Sequence, residues 1–306
     1  MRFVLLSDVH LSWDNPGSRL DDVRLVQLEK LREVFQWAEK HSAVILQAGD
    51  FFDRPRSWYL LPEVMKIFQE FDNRFIGVYG QHDTYMYSEG TRESTNLGIL
   101  MRAGLIDIVG PSSREWIDIG DSVIVGCSFG QNLDENELKK LPDKTRILII
   151  HASISSEGLY PGQEYTLARR FLRENKLFDL ILCGDIHRFF IEKEKERFIV
   201  NTGPLVRRTA EEYNFTHEPC FILYDPEEGI LEKKIISHLP SKRVLTREHI
   251  ERKTEAEEKL SEFIGMVKED ELQSVSFEEN LQIFLRNNKV DLSVVNILSE
   301  VMSEER

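Results

Sequence analysis

Short apolar runs, many of them β-branched, alternate along the chain with longer segments whose apolar residues recur at helical spacing. Phe3–Leu6, Ala43–Gln47, Phe75–Val78, Val123–Val125, Arg146–Ile150, Leu180–Cys183 and Phe198–Val200 predict strands. Several are apolar throughout rather than alternating, as strands buried on both faces are. Leu20–His41, Leu60–Phe71 and Asn96–Ala103 predict helices, the first carrying the stripe Leu25, Leu28, Leu31, Phe35 and Ala38. Strands and helices in that order predict an α/β sheet with covering helices.

From Phe189 onward the pattern changes. Phe189–Glu192, Phe198–Val200, Cys220–Tyr224 and Ile230–Ile235 read as strands broken by Gly, Pro, Asn and Asp, with Asp225-Pro226-Glu227-Glu228-Gly229 as a hairpin turn. They predict an antiparallel second half of the same domain, which we place at residues 1–240. Past a linker at Pro240–Val244, residues 245–306 contain no proline. They predict two helical stretches, Arg247–Val267 and Phe277–Met302, and the second has the better apolar stripe. That tail is expected to pack on its own domain, to serve as a docking or oligomerisation element, or to be disordered.

The 306 residues are 41% hydrophobic and 30% charged, which excludes a disordered chain, a collagen-like repeat and a coiled-coil rod. Net charge is -14, so any phosphate-bearing substrate must be attracted locally, by a metal or a small basic patch, rather than by bulk charge. Half of that charge falls on the tail, with 15 acidic residues against 8 basic ones. Cys127, Cys183 and Cys220 show no CxxC spacing and read as buried thiols of a reducing compartment. With no long apolar run and no leader-like start, we expect a cytoplasmic protein without a membrane span.

Five polar motifs each follow a predicted strand: Asp8-Val9-His10, Gly49-Asp50-Phe51-Phe52-Asp53, Gly80-Gln81-His82-Asp83, His151, and Gly184-Asp185-Ile186-His187. Ligands of open α/β sheets bind beyond the carboxyl ends of the strands, so all five can meet at one edge. Asp8 with His10, and Asp185 with His187, are spaced to point the same way if the chain leaves the strand extended. The glycines before Asp50, Gln81 and Asp185 let the backbone turn where a Cβ would clash. Carboxylates, imidazoles and one amide, with no thiolate, favour Mn²⁺, Fe²⁺, Mg²⁺ or a catalytic Zn²⁺. Six or seven such ligands are too many for one ion and suit a pair.

In this order the motifs resemble those of the calcineurin-like metallophosphoesterases, over residues 1 to about 236. Phe51-Phe52-Asp53, the segment Asn201-Thr202-Gly203-Pro204-Leu205-Val206-Arg207 and the acidic helical tail are similar to the SbcD branch of DNA repair nucleases, and Gly184-Asp185-Ile186-His187 resembles its phage-type members. The resemblance implies a four-layer αββα sandwich with a C-terminal helical extension. It implies one metal held by Asp8, His10, Asp50 and His187, and a second held by Asp50 with Gln81, His151 and Asp185. His82 would be the general acid for the leaving oxygen, oriented by Asp83. Gln81 stands where asparagine is usual and Asp185 where histidine is usual. The extra carboxylate makes the second position harder and favours Mn²⁺, or Mg²⁺, over Zn²⁺.

The activity so implied is exo- and endonucleolytic cleavage of DNA, with an SMC-like (SbcC-type) ATPase docked on the C-terminal helices. A homodimer through Leu20–His41 or Asn96–Ala103 rests on the same resemblance. The alternatives are a small-molecule phosphoesterase acting on a nucleotide or cyclic nucleotide, and a degenerate scaffold. Arg54, Arg56, Arg207 and Arg208 are candidate phosphate contacts, and Trp58, Tyr59, Tyr85 and Tyr87 candidate stacking surfaces.

Overall fold

The computed structural model describes residues 1–306 apart from residues 112, 161, 249, 251–253, 255–256, 262–276, 289 and 305–306. It divides into two compact units, Met1–Leu245 and Thr246–Arg306. No described helix is long and apolar enough to cross a membrane.

The first unit is built on two six-stranded sheets. In the first, β1 (Phe3–Leu6), β2 (Val44–Gln47), β3 (Phe75–Gly77) and β4 (Asp107–Ile108) run parallel. In the second, β6 (Ser122–Cys127), β7 (Thr145–His151), β10 (Leu180–Gly184) and β12 (Arg197–Asn201) are the parallel strands. β5 (Trp116–Ile119) closes one edge of that sheet, antiparallel to β6, and β8 (Ile154–Ser155) pairs with β9 (Thr166–Leu167) in a separate two-stranded sheet.

Pleating sends alternate side chains to opposite faces, and both faces are covered. Phe3, Leu5, Val44 and Leu46 meet Ile147, Ile149, Leu180 and Leu182 in a core between the sheets. Val4, Leu6 and Ile45 pack instead with helices α1 (Val23–Lys40), α2 (Leu61–Glu70) and α3 (Asn96–Arg102). Leu148, Ile150, Ile181 and Cys183 pack with Ala168 and Leu172 of a helix at Ala168–Glu174. Helix, sheet, sheet, helix is the expected four-layer sandwich, and it explains why the central strands are apolar throughout. In α1 the stripe is shifted from the expected one. Val23 is buried, whereas Leu25 is 61% exposed. Asp22 caps this helix by accepting from Arg24 N–H at 3.0 Å.

The expectation of a single antiparallel second half is corrected. One hairpin, β11 (Phe190–Glu194) with β12, stays in the second sheet, where β12 lies parallel to β10. The other, β13 (Cys220–Asp225) with β14 (Ile230–Ile235), returns to the first sheet antiparallel to β1. The two runs belong to different sheets because Ile222 and Tyr224 can bury against Phe3 and Leu5 only there.

In the second unit the stretch expected at Phe277–Met302 is two helices, Phe277–Asn287 and Leu292–Glu304. Asp291 caps the second by accepting from Ser293 N–H at 2.9 Å, and Leu281, Phe284 and Val294 pack together. The expected helix at Arg247–Val267 lies largely outside the described residues.

Candidate metal centre

Parallel strands deliver the polar motifs to one edge. The chain leaves β1, β2, β3, β7 and β10 at Ser7, Ala48, Val78, Ala152 and Asp185, and the loops from both sheets interlock. Asp185 N–H donates to Asp8 Oδ1 at 2.9 Å, and His10 N–H donates to Asp50 O at 2.9 Å.

Asp8 and His10 do not leave the strand extended, as their spacing had suggested. Both sit in the left-handed region, at φ +48° and +47°, as do Asp50 at +52° and Asp185 at +95°. Each such residue costs about 1–3 kcal/mol, a strain that clusters where a site dictates the backbone. Two glycines make the close approach possible. A Cβ on Gly80 would lie 2.1 Å from Asp50 Oδ1, and one on Gly49, at φ +81°, would lie 2.4 Å from His151 Nδ1.

The side chains converge. His10 Nε2 and His187 Nε2 are 2.9 Å apart. Asp50 Oδ2 lies 3.5 Å from His10 Nε2 and 3.4 Å from His151 Nε2. Three triads have ligand atoms all within 4.8 Å of one another: Asp8, His10 and His187; His10, Asp50 and His82; Asp8, Asp50 and His151. Gln81 and Asp185 join the last group. His151 Nε2 lies 2.6 Å from Gln81 Oε1, whose Nε2 donates to Asp185 Oδ1 at 2.7 Å.

This donor set fits divalent cations. Among the described residues, buried Asp8 Oδ2 meets no hydrogen-bond donor, and buried Asp50 Oδ2 meets only the imidazole nitrogens of His151 and His10, at 3.4 and 3.5 Å. A buried carboxylate oxygen without a donor or counter-charge is costly, and cations supply what is missing. The titration of the pocket points the same way. Burial pushes the Asp8 carboxyl up, with the imidazoles of His187, His151 and His10 opposing. Burial pulls the His151 imidazole down, but the charge and hydrogen bond of Asp50 and the charge of Asp8 outweigh it and raise the ring to about 10. Burial likewise raises Asp50, yet the charge and hydrogen bond of His151 and the charge of His10 hold it below the ordinary carboxylate range. The pocket is short of positive charge.

Contacts behind the candidate ligands orient them. His151 Nδ1 faces Ala48 O at 2.7 Å, and Ser153 donates to Asp185 Oδ2. Asp53, overlooked among the candidates although it closes their second motif, lies 3.4 Å from His10 Nδ1 and 3.0 Å from Arg208 Nη1. Its carbonyl accepts from His82 Nδ1 at 3.1 Å. Nothing in the sequence marks Ser153 beyond its place two residues after His151.

Two expectations are corrected. Asp83 does not orient His82. Its carboxylate is buried and accepts from the backbone N–H groups of Gly80, Phe51 and Phe52 at 3.0, 3.2 and 2.9 Å. Arg207 is also buried, with its guanidinium turned inward to donate to Leu239 O, and does not face the pocket. Arg208 does reach it, donating to His10 O at 2.8 Å. Arg54 and Arg56 stand outside the pocket, the first paired with Asp14 at 3.0 Å and the second donating to Ser94 O at 3.0 Å.

Residues 1–189 match the family model of the calcineurin-like phosphoesterases. No curated protein matches the chain. Among solved structures it is similar to TT1561 of Thermus thermophilus, at 13% identity over 76% of this chain and 98% of that one, with a TM-score of 0.50. It is also similar to an archaeal phosphodiesterase (13% identity, 77% and 99% covered, TM-score 0.40) and to a putative 5'-nucleotidase from Staphylococcus aureus (16%, 78% and 54%, 0.44). At 13% identity the likeness to TT1561 concerns the fold alone. The family match spans the sheet edge and all five of its motifs, so this chain belongs to the calcineurin-like phosphoesterases and is a hydrolase of phosphate esters.

Proposed function

We propose that the chain is a nuclease that cleaves DNA phosphodiesters, with Asp8, His10, Asp50 and His187 holding one divalent ion and Asp50, Gln81, His151 and Asp185 a second. Mn²⁺ is the ion the hard, three-carboxylate set favours. When bound, the ions supply the charge that polarises the phosphate and acidifies a water toward neutrality.

The chain's own residues do the rest. His82 is exposed beside the pocket, its ring 4.9 Å from that of His10. The Asp53 carbonyl at Nδ1 fixes the ring and leaves Nε2 to carry the proton that the departing oxygen takes. Arg208, bonded to Asp53 and the His10 carbonyl, holds these two segments together.

The observation that carries the reading is the mouth of the pocket. His82 stands in an open cleft of about 470 Å³ walled by Asp53, Pro55, Tyr85 and Tyr87. Sites for small molecules bury most of the ligand. An open, aromatic-walled cleft suits a strand lying across it with bases against the rings. On the same reading, residues 245–306 form the docking element for an SMC-like ATPase, supported by their acidity and by the apolar contact of Leu281, Phe284 and Val294.

Digestion of end-labelled DNA tests the proposal. Mn²⁺-dependent cleavage that stops with EDTA, and falls at least ~100-fold in His82→Ala, is expected. Efficient hydrolysis of a chromogenic phosphodiester with DNA left intact would instead establish a small-molecule enzyme.

A further inference from the structure

Beside the cleft lies a second depression of about 190 Å³, lined by Ser12, Trp13, Arg54, Arg56, Trp58 and Tyr59. Its floor continues the segment that carries His10, because Leu11 N–H donates to Phe51 O at 2.9 Å and Asp53 N–H donates to Leu11 O at 3.0 Å. Trp13 follows His10 by three residues, at most about 11 Å of backbone. Trp58 and Tyr59 are 71% and 72% exposed, in a protein that buries Phe35, Phe51, Phe52 and Phe75 almost completely. The rings are ordered against each other, with Trp13 and Tyr59 stacked at 5.3 Å between centroids. Arg56 ties the depression to the cleft, its guanidinium lying 5.4 Å over the Tyr85 ring.

We infer that this groove is a stacking subsite for an unpaired nucleobase of the strand being cut, with Arg54 and Arg56 contacting the intervening phosphates. The inference rests on the nuclease reading and adds where the strand goes after the metal pocket. Aromatic faces accept any base, and guanidinium groups between them meet the backbone that links the bases. The Arg54–Asp14 pair is exposed on both sides, so it is weak and exchanges its carboxylate for a phosphate at little cost. Arginines interleaved with flat rings form a local cationic patch for a polyanion on a chain whose net charge is -14.

Binding measured by fluorescence anisotropy tests it. The probes are a labelled 12-nucleotide oligothymidylate with phosphorothioate linkages, which resists hydrolysis, and the same strand annealed into a blunt duplex, both with full-length protein and Mn²⁺. Trp58→Ala and Tyr59→Ala should each weaken single-strand binding by roughly 5- to 100-fold, the range that base stacking on an aromatic ring supports. Trp58→Phe should restore most of the affinity, and duplex binding should fall much less. Melting temperatures should stay at the wild-type value, since these rings are exposed. Wild-type affinity in both alanine variants, while the wild-type enzyme still cuts DNA, overturns the subsite and leaves the nuclease reading standing. Equal losses on single strand and duplex also overturn it, because the rings then contact something other than unpaired bases. A wild-type protein that neither binds nor cuts DNA, yet hydrolyses a small phosphodiester, removes both.

Discussion

His82 and Asp83 are neighbours in the chain, and their replacement should have opposite signatures. His82 is exposed, so His82→Ala should keep the wild-type stability while losing rate. Asp83 joins the loops after β2 and β3 through three backbone N–H groups. Burial and the charge of Asp50 push its carboxyl up, while the N–H donors of Phe52 and Gly80 pull it back. Asp83→Ala strands those donors in the interior, so we expect a loss of about 3–5 kcal/mol in urea unfolding, with activity falling because less protein is folded. Unchanged stability in Asp83→Ala would return this residue to a role in the chemistry. The sequence placed a carboxylate here but not its partner. Spacing showed that Asp83 follows His82, whereas its hydrogen bonds run to residues 31 and 32 positions away as well as to Gly80. Asp53 was hidden for the same reason, since its contacts with His10 and Arg208 exist only once the loops have met.

Among the elements, the strands buried on both faces were the most legible, because Phe3–Leu6 or Leu180–Gly184 carry no polar residue to blur the signal. The edges were not. Trp116–Ile119 is half-exposed and four residues long, and β4 has two residues. The helix at Ala168–Glu174 has no side-chain cap and three arginines, so little in its sequence marks it. Helix α1 was legible as a stripe, yet it contains an exception. Lys30 is buried on its inner face, and Nζ donates to Leu205 O at 3.2 Å. Burial, and then the charges of Arg207 and Arg19, lower its pKa from 10.5 to about 7. Below pH 7 the fold must bury a charge that the unfolded chain keeps in water. From pH 7 to 10.5 the unfolded chain holds a proton that the folded one has released, so stability gained from this group rises with pH. Lys30→Met keeps the stem and removes the charge. It should be more stable than wild type by about 1–4 kcal/mol at pH 6, with the gain shrinking as pH climbs toward 10. Urea titrations at pH 6 and 9.5 measure this, and a pH-independent difference would contradict it.

At the scale of the whole molecule, the first unit carries an unfavourable pocket at the edge of a well-packed sandwich. Asp8 buries an oxygen that meets no donor among the described residues, Asp50 buries one that meets only imidazoles at 3.4 Å or more, and four of the residues that form the site hold left-handed backbone. These costs are borne by loops that both sheets anchor, so relieving them stabilises the entire unit rather than one segment. Divalent metal should therefore stabilise the unit increasingly with concentration, by about 2.7 kcal/mol at a hundred times the dissociation constant. For a unit of this size that is a shift of roughly 5–10 °C in melting temperature. EDTA should reverse it. Asp50 belongs to both proposed ligand sets, so Asp50→Asn should lose most of the shift, whereas His82→Ala should keep it. Differential scanning calorimetry over a Mn²⁺ series gives the comparison. An Asp50→Asn protein that still gained the full wild-type shift would mean that the ions bind elsewhere, and the strained loops would need another explanation.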